Sequence, residues 1–188
     1  QYEISNIFKD YKAIVWGNWV TRDTKQQDVL TFYPGMAVYY RDKTERGIRK
    51  KINYKDSLVR NFSIQHSLEY FGDYYDKYGR IVRELSLFKY INANFKYVPD
   101  PLRDEYFASP DETIRNGLGG DCDDHAILMA SCMEAIGAQS RIVLITGHAY
   151  PELYCGDKKQ FEIMEQAVIR LFSDQPVKYI YYHENNGE

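Results

Sequence analysis

The sequence predicts an α+β fold on three observations. Apolar residues recur at helical spacing through residues 63–95 and again through 122–136; a β-branched run occupies 141–146; and a second extended run, 147–154, follows it directly. At 188 residues the chain has material for one sizeable core plus an extension, and too little for several independent domains.

Residues 1–62 read as an N-terminal extension of short strands and loops, with apolar runs at 13–20, which contains Trp16 and Trp19, and at 29–40, broken by Pro34-Gly35. The basic residues Arg46, Arg49, Lys50 and Lys51 are interleaved with Asp42, Glu45 and Asp56, and read as solvated surface rather than a phosphate site. From Ser63 the pattern is helical. Ile64, Leu68 and Phe71 predict one helix, and Ile81, Leu85, Phe88 and Ile91, widened by Val82 and Leu87, predict a second. That helix ends near Phe95, because the prolines at 99 and 101 lack amide donors and push their predecessors out of helical geometry. The tyrosines of this region read as core-and-rim packing.

Ser109, Pro110 and Glu112 have the spacing of a capping box for a short helix that Gly117 stops. Asp121 caps a longer helix running to Ile136, which Gly137 ends. Its Ala126, Ile127, Met129, Ala130 and Met133 leave little polar surface, so it belongs at the buried centre. After the strands of 141–154 a turn at Gly156-Asp157 leads to a helix carrying Phe161, Met164, Val168 and Leu171. A strand at 177–182 then runs into Asn186-Gly187, a hairpin turn whose returning strand is expected beyond Glu188.

Composition narrows the function. With 24 Lys+Arg against 27 Asp+Glu, a net charge of −3 gives no general reason for nucleic acid or an anionic membrane as partner. No stretch approaches the ~18–20 uninterrupted apolar residues that a membrane-spanning helix needs. The chain begins at Gln1, not Met, either at a processing point or at a cut, which leaves a signal peptide or membrane tether ahead of it open. Three cysteines are an odd number without a C-x-x-C pair, and the histidines at 66, 125, 148 and 183 are scattered, so neither a disulfide scaffold nor a structural zinc site is expected, and no cofactor.

Cys122 stands out by position. It opens a helix behind two glycines, where the helix dipole and unpaired amides favour a thiolate and its own backbone amide can receive an oxyanion. Cys132, mid-helix among Met129, Ala130 and Met133, reads as a small buried hydrophobe. A thiol nucleophile needs a base. His148, leading a strand after Gly147, can lie beside the helix if that strand pairs into a sheet packed on it. His125 is the competing candidate, three residues on from Cys122, but a ring fixed on the cysteine's own helix does not readily reach the line of attack. Between residues 100 and 124 there are eight acids against two arginines, a balance of 2 − 8 = −6, which opposes the helix terminus by raising the thiol pKa. Most of these acids read as caps and solvated surface. Asp121, Asp123 and Asp124 lack the glycine and distal glutamate of a calcium loop.

Gly120-Asp-Cys-Asp-Asp-His-Ala126, Ala135-Ile-Gly137, Arg141-Ile-Val143 and Gly147-His-Ala-Tyr150, in that order, resemble the transglutaminase-like superfamily of papain-related Cys-His-Asp proteins, and look closest to its bacterial members. The resemblance implies a papain-like core over residues 63–188, cut short at its C-terminal end, with the nucleophile helix packed on a small antiparallel sheet. It implies Cys122 as nucleophile, His148 as base, and thiol-dependent acyl transfer or hydrolysis at peptide or side-chain amide bonds of a peptide or protein, with water or an amine as acceptor. In the family an aspartate on the strand after the histidine strand orients the imidazole. Asp174, Glu184, Asn185 and Asn186 do not match that position, and the acid is expected beyond residue 188. The resemblance favours a periplasmic or membrane-anchored, extracytoplasmic location. Two rivals stand beside this reading: a non-catalytic module that holds a peptide or cell-wall component in the same cleft, and redox sensing at Cys122 with Cys155 as resolving partner.

Overall fold

The computed structural model describes residues 13–14, 44–100, 106–145 and 148–174. In chain order they form β1 (Ala13–Ile14), α1 (44–51), α2 (Ser57–His66), a 3-10 turn (Gly72–Tyr74), α3 (Tyr75–Tyr78), α4 (Arg80–Asn94), β2 (Lys96–Tyr97), α5 (Pro110–Arg115), β3 (Gly119–Gly120), α6 (Cys122–Ala135), β4 (Ser140–Ile145), β5 (His148–Tyr154) and α7 (Lys158–Leu171). The architecture is α+β.

β4 and β5 pair antiparallel from Ser140 opposite Leu153 to Ile145 opposite His148. Ala13 and Ile14 add to the other edge of β5, opposite Tyr154 and Leu153, so β5 is the middle strand. A second, two-stranded parallel sheet sets Lys96 beside Gly119 and Tyr97 beside Gly120. α6 packs across β5 and β4. Every residue from Asp123 to Met133 is buried, as a helix apolar on all sides in its middle turns requires. It stops where Gly137 adopts φ +85°, a left-handed conformation that costs glycine nothing.

α4 divides the interior. Val82 and Leu85 pack with Phe161, Met164 and Val168 of α7. Leu87 and Ile91, on the other side, pack with Val59 of α2 and with Leu128 and Cys132 of α6. Each of these side chains is almost wholly buried, and each contributes about 1.5–3 kcal/mol by leaving water.

The main differences from the sequence reading lie before Phe71. Residues 44–51 and 57–62 are helical where short strands or loops were expected. α2 begins at Ser57 and not at Ser63, because the Asp56 carboxylate caps it, accepting from the amides of Leu58 (2.8 Å) and Val59 (3.2 Å). That start sets the phase. Val59, Ser63 and His66 form the buried face, while Ile64 and Leu68, expected inside, are 51% and 44% exposed. Ser63 tolerates the interior because its hydroxyl donates to the Val59 carbonyl at 2.7 Å, and the His66 ring stacks on Tyr90 with centroids 3.6 Å apart. Of the basic cluster, Arg49 pairs with Glu45 at 2.6 Å and stays in water. The expected strands at 15–20, 29–40 and 177–182 and the Asn186-Gly187 turn lie outside the described residues.

Glu84 is the unusual member of the interior. It is buried on α4 against an apolar pocket bounded by Leu85, Phe88, Met129, Met133 and Met164, with Arg80 Nε 3.7 Å away. Burial, only partly offset by Arg80, raises its pKa from 4.5 to about 7. The folded state therefore holds this proton more tightly than the unfolded chain. The resulting stability is fully present below pH 4.5 and is lost as the pH rises through about 7. Glu84→Gln is expected to retain above neutral pH up to about 3 kcal/mol that the parent loses, measured as urea midpoints at acid and alkaline pH.

Candidate active site

The site is built around the first turn of α6. Asp121, the N-cap, accepts from the Asp123 amide at 3.1 Å, and Asp124 reaches back to the Asp121 amide at 3.3 Å, so the helix opens with a reciprocal capping box. The other Asp124 oxygen accepts from the buried Ala108 amide at 2.7 Å, which ties the segment entering α5 to the same point. Gly120 is required here by space. A Cβ at that position would stand 2.6 Å from the Asp124 Cβ and 2.9 Å from its Cγ, closer than atoms tolerate. The β2–β3 ladder runs into this turn through the Val98 amide, which donates to Gly120 O at 2.7 Å.

Cys122 is partly buried, and the backbone amide of Ala149 is near enough to favour its thiolate. Ala149 follows His148 in β5, and α6 packs against that strand, so the helix that carries the thiol lies on the strand that His148 leads. Burial is the largest influence on the thiol and raises its pKa above the ordinary 9.0; the Ala149 amide opposes this, and Asp121 and Asp123 add to it. The helix terminus therefore does not leave a resting thiolate. Burial likewise lowers the half-buried His148, against the attraction of Asp121. Near neutral pH the two groups rest as thiol and neutral imidazole. The Tyr150 ring lies along His148 at 6.0 Å between centroids.

The competing histidine is turned elsewhere. His125 is wholly buried, hydrogen-bonds through Nε2 to Asn92 Oδ1 of α4 at 3.1 Å, and meets the Phe95 ring edge-on; burial holds its pKa down near 4. Cys132 is fully buried, with its pKa raised to about 12. Cys155 sits in the α4–α7 core. It follows the end of β5, six residues and roughly 20 Å of extended chain from Ala149, which argues against it as a resolving partner for Cys122.

Most described acids of the 100–124 stretch are occupied with backbone or cations. Asp100 accepts from the Tyr106 amide at 2.6 Å, Asp111 pairs with Arg115 at 2.7 Å, and Glu112 caps α5 through the Ser109 amide at 2.6 Å, which holds its carboxyl down at about 2. Asp121, Asp123 and Asp124 offer oxygens within 4.8 Å of one another, a spacing a cation could use, but each already accepts a backbone amide. Asp174 pairs with Lys89 at 3.4 Å in an exposed position. Glu184, Asn185 and Asn186 lie outside the described residues.

Two participants escaped the sequence. Tyr97, two-thirds exposed on β2, is close enough to feel the charge of a Cys122 thiolate, and the Ala149 amide is close enough to favour that thiolate. A two-residue parallel ladder leaves no periodicity to read. Gly120→Ala is expected to displace Asp124, lower stability by roughly 1–3 kcal/mol and alter the alkylation rate of Cys122, whereas Gly119→Ala, with no contact nearer than 3.7 Å, leaves both close to the parent; thermal unfolding and thiol titration read the pair.

No curated protein and no solved structure matches the chain. A family model described as the transglutaminase-like superfamily matches residues 75–169, from α3 to within α7, and spans the helix that carries Cys122 and the strand that His148 leads. The chain belongs to the transglutaminase-like superfamily.

Proposed function

We propose that the protein performs thiol-dependent acyl chemistry on amide bonds of a peptide or protein, with Cys122 as nucleophile, His148 as base and a papain-like arrangement of helix and sheet. The observation that supports this is the packing of α6 across β5, which lays the helix opened by Cys122 against the strand that His148 leads. Both groups rest neutral, so the proton moves during attack and not before it. Cys122 Sγ bonds to the substrate carbonyl carbon as its proton passes to His148. The carbonyl oxygen becomes an oxyanion, and the Cys122 backbone amide, at the start of α6, is the donor at hand for it. His148 returns the proton to the departing amine, leaving a thioester. Water resolves it to an acid, an amine to a new amide; one acylation step serves hydrolase and transferase alike.

A second reading, a module that holds a peptide or cell-wall component without reacting, is favoured by one observation: burial keeps the Cys122 thiol protonated at neutral pH. Acylation decides between them. With a p-nitrophenyl ester as donor, mass spectrometry is expected to find the acyl group on Cys122 and not on Cys132 or Cys155. His148→Ala slows this about 100-fold or more. Because a neutral imidazole is needed and burial lowers its pKa, the acid limb of the rate falls below the ordinary 6.5. Acylation of Cys122 that is indifferent to His148 would favour the holding module.

A further inference from the structure

The described wall of the pocket between α4, α6, α7 and the sheet carries three polar side chains, and two of them are already engaged. The Ser140 hydroxyl donates to the Ala130 carbonyl at 3.2 Å, and Glu152 accepts from Arg141 Nε at 2.6 Å. Glu84 is the third. Its side chain is 6% exposed, and the cation that faces it, Arg80 Nε, stands at 3.7 Å, beyond hydrogen-bond reach, on a side chain that is mostly in water. Among the described residues Glu84 receives no hydrogen bond, so the pocket holds a buried carboxyl that lacks a donor. That is a costly condition for its charged form, and it agrees with the raised pKa of about 7. The rest of the wall is apolar, and the thioethers of Met129, Met133 and Met164 let it adapt to a guest. The volume is about 40 Å³, room for a ligand of a few heavy atoms. Met129 and Met133 stand seven and eleven residues along α6 from Cys122, about 10 and 16 Å of helix, so this space is not part of the thiol site.

We propose that this pocket is a second binding site, for a short aliphatic ammonium ion: the ammonium donates to the Glu84 carboxylate, and its one or two carbons pack on the methionines. Charge and hydrogen bonding select this class. An anion of the same size meets the like charge of Glu84, while a neutral apolar molecule leaves the carboxyl without its donor. The charged groups at the site are Arg80 on the same helix and Glu152 with its partner Arg141 from the sheet; the described wall residues from α6 and α7 are uncharged.

The test is NMR of the full chain with carbon-13 labelled methionine methyl groups, assigned through Met129→Leu, Met133→Leu and Met164→Leu. Ethylammonium is titrated near pH 8, where Glu84 is ionised, with ethanol as the neutral probe of equal size. The three methyl signals are expected to shift saturably with ethylammonium, at a Kd of about 1 mM or weaker for so few heavy atoms. Ethanol is expected to bind about tenfold more weakly or worse, since it brings no charge-assisted hydrogen bond. Glu84→Gln keeps the shape, removes the charge and is expected to erase the preference for ethylammonium. Lowering the pH to near 5 in the parent does the same, because Glu84 takes up its proton below about 7 while an alkylammonium keeps its charge at both values. The absence of a saturable shift in the parent, equal binding of ethanol and ethylammonium, or undiminished ethylammonium binding in a folded Glu84→Gln overturns the proposal. Should Glu84→Gln fail to fold, the comparison of the two probes and of the two pH values in the parent decides the matter alone.

Discussion

The site depends on one steric constraint, the absence of a side chain at Gly120. Asp124 occupies the space that a Cβ would take, and from there it holds the Asp121 amide and the Ala108 amide together. That closes the capping box, fixes where α6 begins, and so fixes Cys122 against β5. The sheet register does the rest. With Ile145 opposite His148 and Ser140 opposite Leu153, β5 delivers the histidine at the helix terminus and passes Glu152 and Leu153 under its far end. The helix itself is held by burial on every side, between α4 and the sheet, and has little freedom to shift under load.

Burial is also what sets the charges. The helix dipole and two amides favour a thiolate at Cys122, yet desolvation outweighs them, and nearby Asp121 and Asp123 push the same way. His148 is held neutral by the same cause. A site of this kind keeps a weakly reactive thiol until a substrate carbonyl arrives, when proton transfer to the imidazole and bond formation at sulfur proceed together. The acids around it are mostly engaged with backbone amides, and burial pushes Asp123 well above the carboxylate range, which limits the negative charge that would otherwise oppose a developing oxyanion.

The sequence was most legible where local chemistry decides the structure. Ser109 with Glu112, Asp121 before an apolar run, and Gly137 after it each announce a helix boundary, and the boundaries fall within a residue or two of those expected. The position of Cys122 at a helix start and of His148 at a strand start followed from the same marks. The early helices were less legible because their phase depends on tertiary burial. Asp56 looked like one charge among several near the basic cluster, although it caps α2, and a serine and a histidine take the inner face while Ile64 faces water. Resting charge was not legible at all, since two opposing effects at Cys122 were visible in the sequence and only the depth of burial decides between them.

The resting state of Cys122 is the point on which the chemistry turns, and thiolate absorbance in the ultraviolet reads it directly as the difference between the parent and Cys122→Ser across pH. A neutral thiol–imidazole pair gives no step near neutrality and a thiolate only above the ordinary value of 9.0. A step below pH 7, lost in His148→Ala, would contradict it and establish a preformed thiolate–imidazolium pair.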